Sequence, residues 1–347
     1  MKNKLVLIMM LVIGAFALTK AQTQLNGAGA TFPYVIYMKW FDEYKKLTGV
    51  QFNYQSIGSG GGIKQIIEGT VDFGATDGPM TDKQLEDAKS KQGTNVLHIP
   101  TVLGAVVLSY NIPGINKGLV LDGQTTADIF FGKIKKWNDS RIKKLNPKLN
   151  LPDRAIIVAH RSDGSGTTFI FSDYLSKVSS EWKSKVGTGT SVNWPIGLGG
   201  KGNEGVTGLV KQTAGAIGYI ELAYAVKNKL AYASIKNKSG NVVEPNFNSV
   251  TAAAEGTSKS MPEDMRVSIT DADGKDSYPI SGFTWLLVYQ NMKNDSKAEA
   301  MVKFLNWAME KGQTFASDLY YAPLPKSVAK MNERKIDSIT ANGKKIN

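Results

Sequence analysis

Apolar and polar positions alternate with period two over Val50-Gln51-Phe52-Asn53-Tyr54-Gln55, the mark of a half-buried strand. A glycine-rich turn follows, then Ile63-Lys64-Gln65-Ile66-Ile67 and the buried-strand run Val71-Asp72-Phe73-Gly74-Ala75, so the stretch reads as strand, loop, helix, strand. Two longer apolar runs rich in β-branched and aromatic residues, 101–110 and 283–289, are of the kind buried in mid-sheet and mark candidate crossings between domains. Near the end, Ala298, Met301, Val302, Leu305, Ala308 and Met309 recur at helical spacing with Gly312 as the stop, a stripe that reads as core packing. Strands alternate with helices in both halves, which predicts an α/β architecture on mainly parallel sheets, with ligands at the carboxyl ends of strands. A chain of 347 residues is too long for one core, so two domains are expected.

The first apolar run has another meaning. Residues 5–18 follow Lys2 and Lys4 and precede Thr19-Lys20-Ala21, the small-residue spacing a signal peptidase reads. Fourteen residues are too few to cross ~30 Å of hydrocarbon, which takes roughly 20. A leader of residues 1–21, cut near Ala21, is therefore expected, and no cysteine follows it to carry a lipid anchor. The absence of cysteine from the whole chain also excludes disulfides, thiolate metal sites and a cysteine nucleophile. The formal charge of +12 falls to +9 on export, since three lysines and no acid leave with the leader. Export weighs against nucleic acid as the partner of this basic chain. The run Lys133, Lys135, Lys136, Arg141, Lys143, Lys144, with its interleaved apolar residues, reads as a solvated face.

Three loops could hold an anion. Gly27-Ala28-Gly29-Ala30-Thr31-Phe32-Pro33 offers free amides and a hydroxyl before a helix, with proline suited to the first helical position. Ser56-Ile57-Gly58-Ser59-Gly60-Gly61-Gly62 does the same, and Ser59 could cap the helix or donate to a ligand. Arg161-Ser162-Asp163-Gly164-Ser165-Gly166-Thr167-Thr168, after the apolar strand 155–159, adds a guanidinium. Singly, each loop is an ordinary helix start; together they make a cage of N–H and O–H donors suited to a tetrahedral oxyanion. Asp77, at the carboxyl end of the 71–75 strand, should repel such an anion unless the anion carries a proton for it to accept. Phosphate does and sulfate does not, so an acceptor there favours phosphate. Locally, Asp77 also reads as an Asx-turn residue before Gly78-Pro79.

The segments NGAGATFP (26–33), IGSGGG (57–62), VDFGATD (71–77), RSDGSGTT (161–168), WPIGLGGKGN (194–203) and GAIGYIE (215–221) resemble, in order, those of the PstS family of phosphate-binding proteins of bacterial ABC transporters. The resemblance implies a two-lobed periplasmic binding protein of type II, each lobe a mixed, mainly parallel sheet flanked by helices, with a two-crossing hinge. It implies lobes of residues 22–102 with 281–347, and 103–280. Carried over by position, the phosphate contacts fall on Thr31, Phe32 through its backbone N–H, Ser59, Asp77, Arg161, Ser165, Gly166 and Thr167, with Asp163 holding Arg161 in place. It further implies a periplasmic monomer that delivers phosphate to permease subunits with a cytoplasmic ATPase, without catalytic residue, cofactor, metal or nucleic acid. His160 and Gly60 depart from residues often found in the family at those places, an arginine and a serine.

The competing reading is a secreted phosphate-ester hydrolase, or a binder of another tetrahedral oxyanion such as sulfate or molybdate. Neither Gly58-Ser59-Gly60 nor Gly164-Ser165-Gly166 sits in a G-x-S-x-G pattern. Of the two histidines, His98 reads as a satisfied strand residue, while His160 adjoins the candidate site and is the plausible general base. Gly197-Leu198-Gly199-Gly200-Lys201-Gly202 is a literal G-x-G-x-x-G, but Pro195 interrupts the strand that should feed it, and an exported protein has little access to dinucleotides.

Overall fold

The computed structural model describes residues 23–255 and 261–346; the expected leader lies outside the described residues. A nine-stranded sheet organises the chain, with strands β1 (Gln24–Gly29), β2 (Gln51–Ser56), β3 (Phe73–Thr76), β4 (Val96–Tyr110), β5 (Ile157–Arg161), β6 (Leu198–Gly200), β7 (Ala216–Glu221), β8 (Ala231–Tyr232) and β9 (Ser281–Tyr289). Their order is β2-β1-β3-β9-β4-β7-β5-β6, with β8 also paired to β4. The helices that matter for the site and its support are α1 (Tyr34–Thr48), α2 (Ser59–Glu68), α3 (Asp82–Gln92), α4 (Gly166–Val178), α5 (Gly202–Gln212) and α6 (Asp295–Glu310).

Strand direction divides the sheet. β1 runs parallel to β2 and β3, and β5 runs parallel to β6 and β7, as helical crossovers require. The antiparallel pairs all involve β4 or β9. β4 pairs with β9 from Val96 to Ala105, then with β7 from Val106 to Tyr110. One long strand thus serves two lobes, the first built on β1–β3 and β9, the second on β5–β7. Its apolar run is buried along its whole length because both faces are covered.

The predicted helical stripe near the end is α6, which buries Ala298, Met301, Phe304, Leu305, Ala308 and Met309. Lys311 caps it, and Gly312 opens a short 3-10 turn whose carbonyl accepts Trp40 Nε1 at 2.7 Å. Helix α1 lays Ile36, Tyr37, Trp40, Phe41 and Tyr44 on the same core. Its Pro33 is the residue before the helix and not its first position. The basic run is a surface face laced with ion pairs, Lys133 to Glu181, Lys136 to Asp153 and Arg141 to Asp139. Among the described residues no helix is long and apolar enough to cross a membrane.

Candidate anion-binding site

Four chain segments meet where the two lobes touch. β1 delivers Thr31 and Phe32 ahead of α1, and β2 delivers Gly58 and Ser59 at the start of α2. β3 ends one residue before Asp77, and β5 ends on Arg161 ahead of α4. Thr31, Phe32, Ser59, Asp77, Arg161, Ser165 and Thr167 are all 3% exposed or less, so the lobes are closed over them. Backbone seals the closure: Gly60 N donates to Gly164 O across the lobes at 2.9 Å. A Cβ on Gly58 would lie 2.3 Å from Asp163 Oδ2, and its φ is +89°, so glycine is required there twice over.

Asp163 holds Arg161 through a bidentate pair, Nε to Oδ1 at 2.8 Å and Nη2 to Oδ2 at 2.6 Å. Gly202 N adds a third bond to Asp163 Oδ1 at 3.0 Å, so the amide of the G-x-G-x-x-G stretch serves a carboxylate of this chain. Burial, the largest single influence, would raise the Asp163 carboxyl, but the Arg161 guanidinium and the backbone N–H of Gly202 act together against it and hold the group below its usual value. Arg161 Nη1 is left to reach Thr167 Oγ1 at 3.2 Å.

Ser59 does not cap α2. Gly58 occupies that place, and the Ser59 hydroxyl accepts from Asp77 N at 3.2 Å and from Gly166 N at 3.0 Å. The Gly166 amide, expected to face the anion, is thereby bonded to Ser59 in this closed arrangement. Ser165 caps α4, accepting from Thr168 N at 3.0 Å, which leaves its own proton to give.

Asp77 forms no Asx-turn; the local turn bond is made by Thr76 Oγ1 with Gly78. Its Oδ1 accepts from Thr284 Oγ1 at 2.8 Å and its Oδ2 from Ser59 Oγ at 3.5 Å. Thr284 is aimed there by a register shift in β9, whose Thr284 and Trp285 pair with Val102 and Pro100, the latter without an N–H to give. Burial pushes Asp77 up to about 7, against the pull of Thr284, Arg161 and Ser59 towards the ionised form.

His160 is turned to other work. Its Nδ1 lies 3.0 Å from Arg161 O and its ring stacks on Trp194, with centroids 5.1 Å apart. His98 is the satisfied strand residue expected, accepting Met80 N at 3.0 Å on Nε2, and burial lowers it to about 3.

The family model of the PBP superfamily domain matches residues 15–311. The chain is 47% identical over 327 residues to the phosphate-binding protein PstS of Pasteurella multocida, covering 94% of this chain and 93% of that one. It is 46% identical over 319 residues to PstS of Haemophilus influenzae, covering 92% and 93%. The chain belongs to the PstS family. Its fold is also that of a high-affinity periplasmic phosphate-binding protein solved with phosphate bound, with a TM-score of 0.69 at 19% identity, covering 92% of this chain and 99% of that one.

In this PstS-family chain the structure also brings in residues that the sequence reading did not single out. Asn203 donates through Nδ2 to Thr31 Oγ1 at 2.7 Å and to Thr167 Oγ1 at 3.1 Å. Tyr219 OH accepts Arg161 N at 3.0 Å, and Tyr321 OH donates to Phe32 O at 2.7 Å. Glu221, buried and pushed well above the usual carboxylate range by that burial, accepts Ala223 N at 2.8 Å. Asn203 and Glu221 lie within segments that carry the family resemblance, but nothing in the local pattern marks Asn203 as a neighbour of Thr31.

Proposed function

We propose that this protein binds inorganic phosphate in the periplasm by closing its lobes on the anion and hands it, chemically unchanged, to ABC permease subunits driven by a cytoplasmic ATPase. It would do so as a monomer. The lobes would comprise residues 22–102 with 281–347, and 103–280, a division supported by the exchange of β4 partners between Ala105 and Val106. Thr31, Ser59, Arg161, Ser165 and Thr167 would donate from side chains, and Phe32 and Gly166 from the backbone, Gly166 by sharing or giving up its bond to Ser59.

The observation that carries this reading is Asp77, a carboxylate 1% exposed and set among donors. An anion with no proton would meet it as a charge repulsion in a dry site; one with a proton meets a hydrogen-bond acceptor. Calorimetry with phosphate and with sulfate on the same preparation tests it. Strong heat with phosphate and none with sulfate is expected, and comparable affinity for both would remove the acceptor role of Asp77.

A hydrolase would need a base beside its nucleophile. His160 has the Arg161 carbonyl and Trp194 as neighbours and no serine hydroxyl among its hydrogen-bond partners. Turnover of a chromogenic phosphate ester, lost in His160→Ala, would overturn the transport reading.

A further inference from the structure

We infer that Asn203 is a positioning residue that sets the polarity of the site, holding the hydroxyls of Thr31 and Thr167 so that each faces the anion as a donor. Asn203 is the second residue of α5 and fully buried. Its Oδ1 accepts Glu221 N at 2.9 Å. A backbone N–H can only donate, so this bond fixes which end of the amide is oxygen and turns Nδ2 towards the two threonines.

The consequence follows from counting lone pairs. Thr31 Oγ1 accepts from Asn203 N at 3.2 Å and from Asn203 Nδ2 at 2.7 Å. Thr167 Oγ1 accepts from Asn203 Nδ2 at 3.1 Å and from Arg161 Nη1 at 3.2 Å. A hydroxyl has two lone pairs and one proton. With both lone pairs engaged, each threonine has its proton left to give. Without Asn203 either hydroxyl could rotate and show an oxygen edge to an anion. Thr31 belongs to the first lobe and Thr167 to the second, so the setting is completed as the lobes come together. The inference rests on the phosphate reading above, since a donor-only lining suits an anion whose own proton is received by Asp77.

Isothermal titration with inorganic phosphate, run on the parent and on variants together, provides the test. Asn203→Ala is expected to weaken binding roughly tenfold or more. In a Thr31→Val, Thr167→Val background, where there are no hydroxyls to orient, the same change should cost less than about threefold. A merely structural role would give the same loss in both backgrounds, and that result overturns the inference. Asn203→Asp keeps the acceptor for Glu221 N–H but replaces Nδ2 with an oxygen that draws both hydroxyl protons. It should bind more weakly than Asn203→Ala, and phosphate binding like the parent's in either variant overturns the inference. If the parent itself takes up no phosphate, the reading beneath the inference has failed; if the parent binds and the Asn203 variants match it, the inference alone has failed.

Discussion

Gly166 of the second lobe lies so close to Asp77 of the first that a methyl group on it would sit 2.5 Å from both Asp77 Cβ and Asp77 Oδ2. Gly166 is the first residue of α4 and has an ordinary negative-φ backbone, so alanine suits the helix itself. The clash exists only when the lobes meet. Gly166→Ala should therefore fold with a melting temperature near the parent's, stay open, and lose phosphate binding by about 100-fold or more, since close packing cannot absorb such an overlap. Calorimetry gives the affinity, and small-angle scattering with and without phosphate checks that the compaction seen in the parent is gone.

Arg161 is the charged donor of the cage, and Asp163 holds it in one orientation. Arg161→Ala removes charge-assisted bonds worth about 1.5–3 kcal/mol, so binding should weaken roughly 10- to 150-fold. Arg161→Lys should recover little of this, because an ammonium cannot span both Asp163 oxygens while still reaching Thr167. Titration of the two variants beside the parent measures the difference.

Two buried groups push acid stability in opposite directions. Asp77 has its pKa raised from 3.8 to about 7 on folding, so its contribution is favourable below about 4 and is lost as pH rises through 7. His98 is lowered from 6.5 to about 3, so the unfolded chain takes its proton first and stability falls as pH drops from 6.5 towards 3. Each shift is worth on the order of 4 kcal/mol at full extent. Asp77→Asn should be more stable than the ligand-free parent at pH 8, with the gain fading by pH 5 and a steeper loss in acid. His98→Gln, which keeps an acceptor for Met80 N–H, should flatten the acid limb. Urea unfolding of the three proteins between pH 4 and pH 8 tests both signs.

Local pattern carried much of this architecture. The alternation at 50–55 is β2 and the 298–309 stripe is the buried face of α6, because in each the period of burial follows the period of the backbone. The 101–110 run is the second part of β4, legible as an unbroken apolar run because both of its faces are covered. The 155–159 run is offset by two residues at both ends: β5 is Ile157–Arg161, and it closes on an arginine whose guanidinium is buried against Asp163 and so escapes a rule based on apolar side chains. Ser59 meets Asp77 and Gly166, and Arg161 meets Thr167, so residues from two of the three loops lie together with Asp77. The supporting shell was not legible. Asn203 acts on Thr31 from 172 positions away and Thr284 on Asp77 from 207, and no period or loop composition encodes such encounters. Thr284 reaches Asp77 through a register shift that depends on the pairing of two strands far apart in sequence.

Thr284 pulls Asp77 towards its ionised form. Its hydroxyl donates to Asp77 Oδ1 at 2.8 Å, and a hydrogen bond given to a carboxylate favours the ionised form. Thr284 is itself fully buried, so the bond is made where no water competes for it. Thr284→Val keeps the shape and the β-branched fit to β9 while removing the donor. Asp77 should then titrate above about 7 in the ligand-free protein, because burial pushes it the same way and one counterweight is gone. Carbon-13 observation of the aspartate side-chain carboxyls, with Asp77→Asn to assign the signal, reads this directly. Phosphate binding should weaken as well, since a carboxyl that keeps its own proton no longer accepts the ligand's. An Asp77 signal that titrates where the parent's does would mean that Thr284 shapes the strand and leaves the acid untouched.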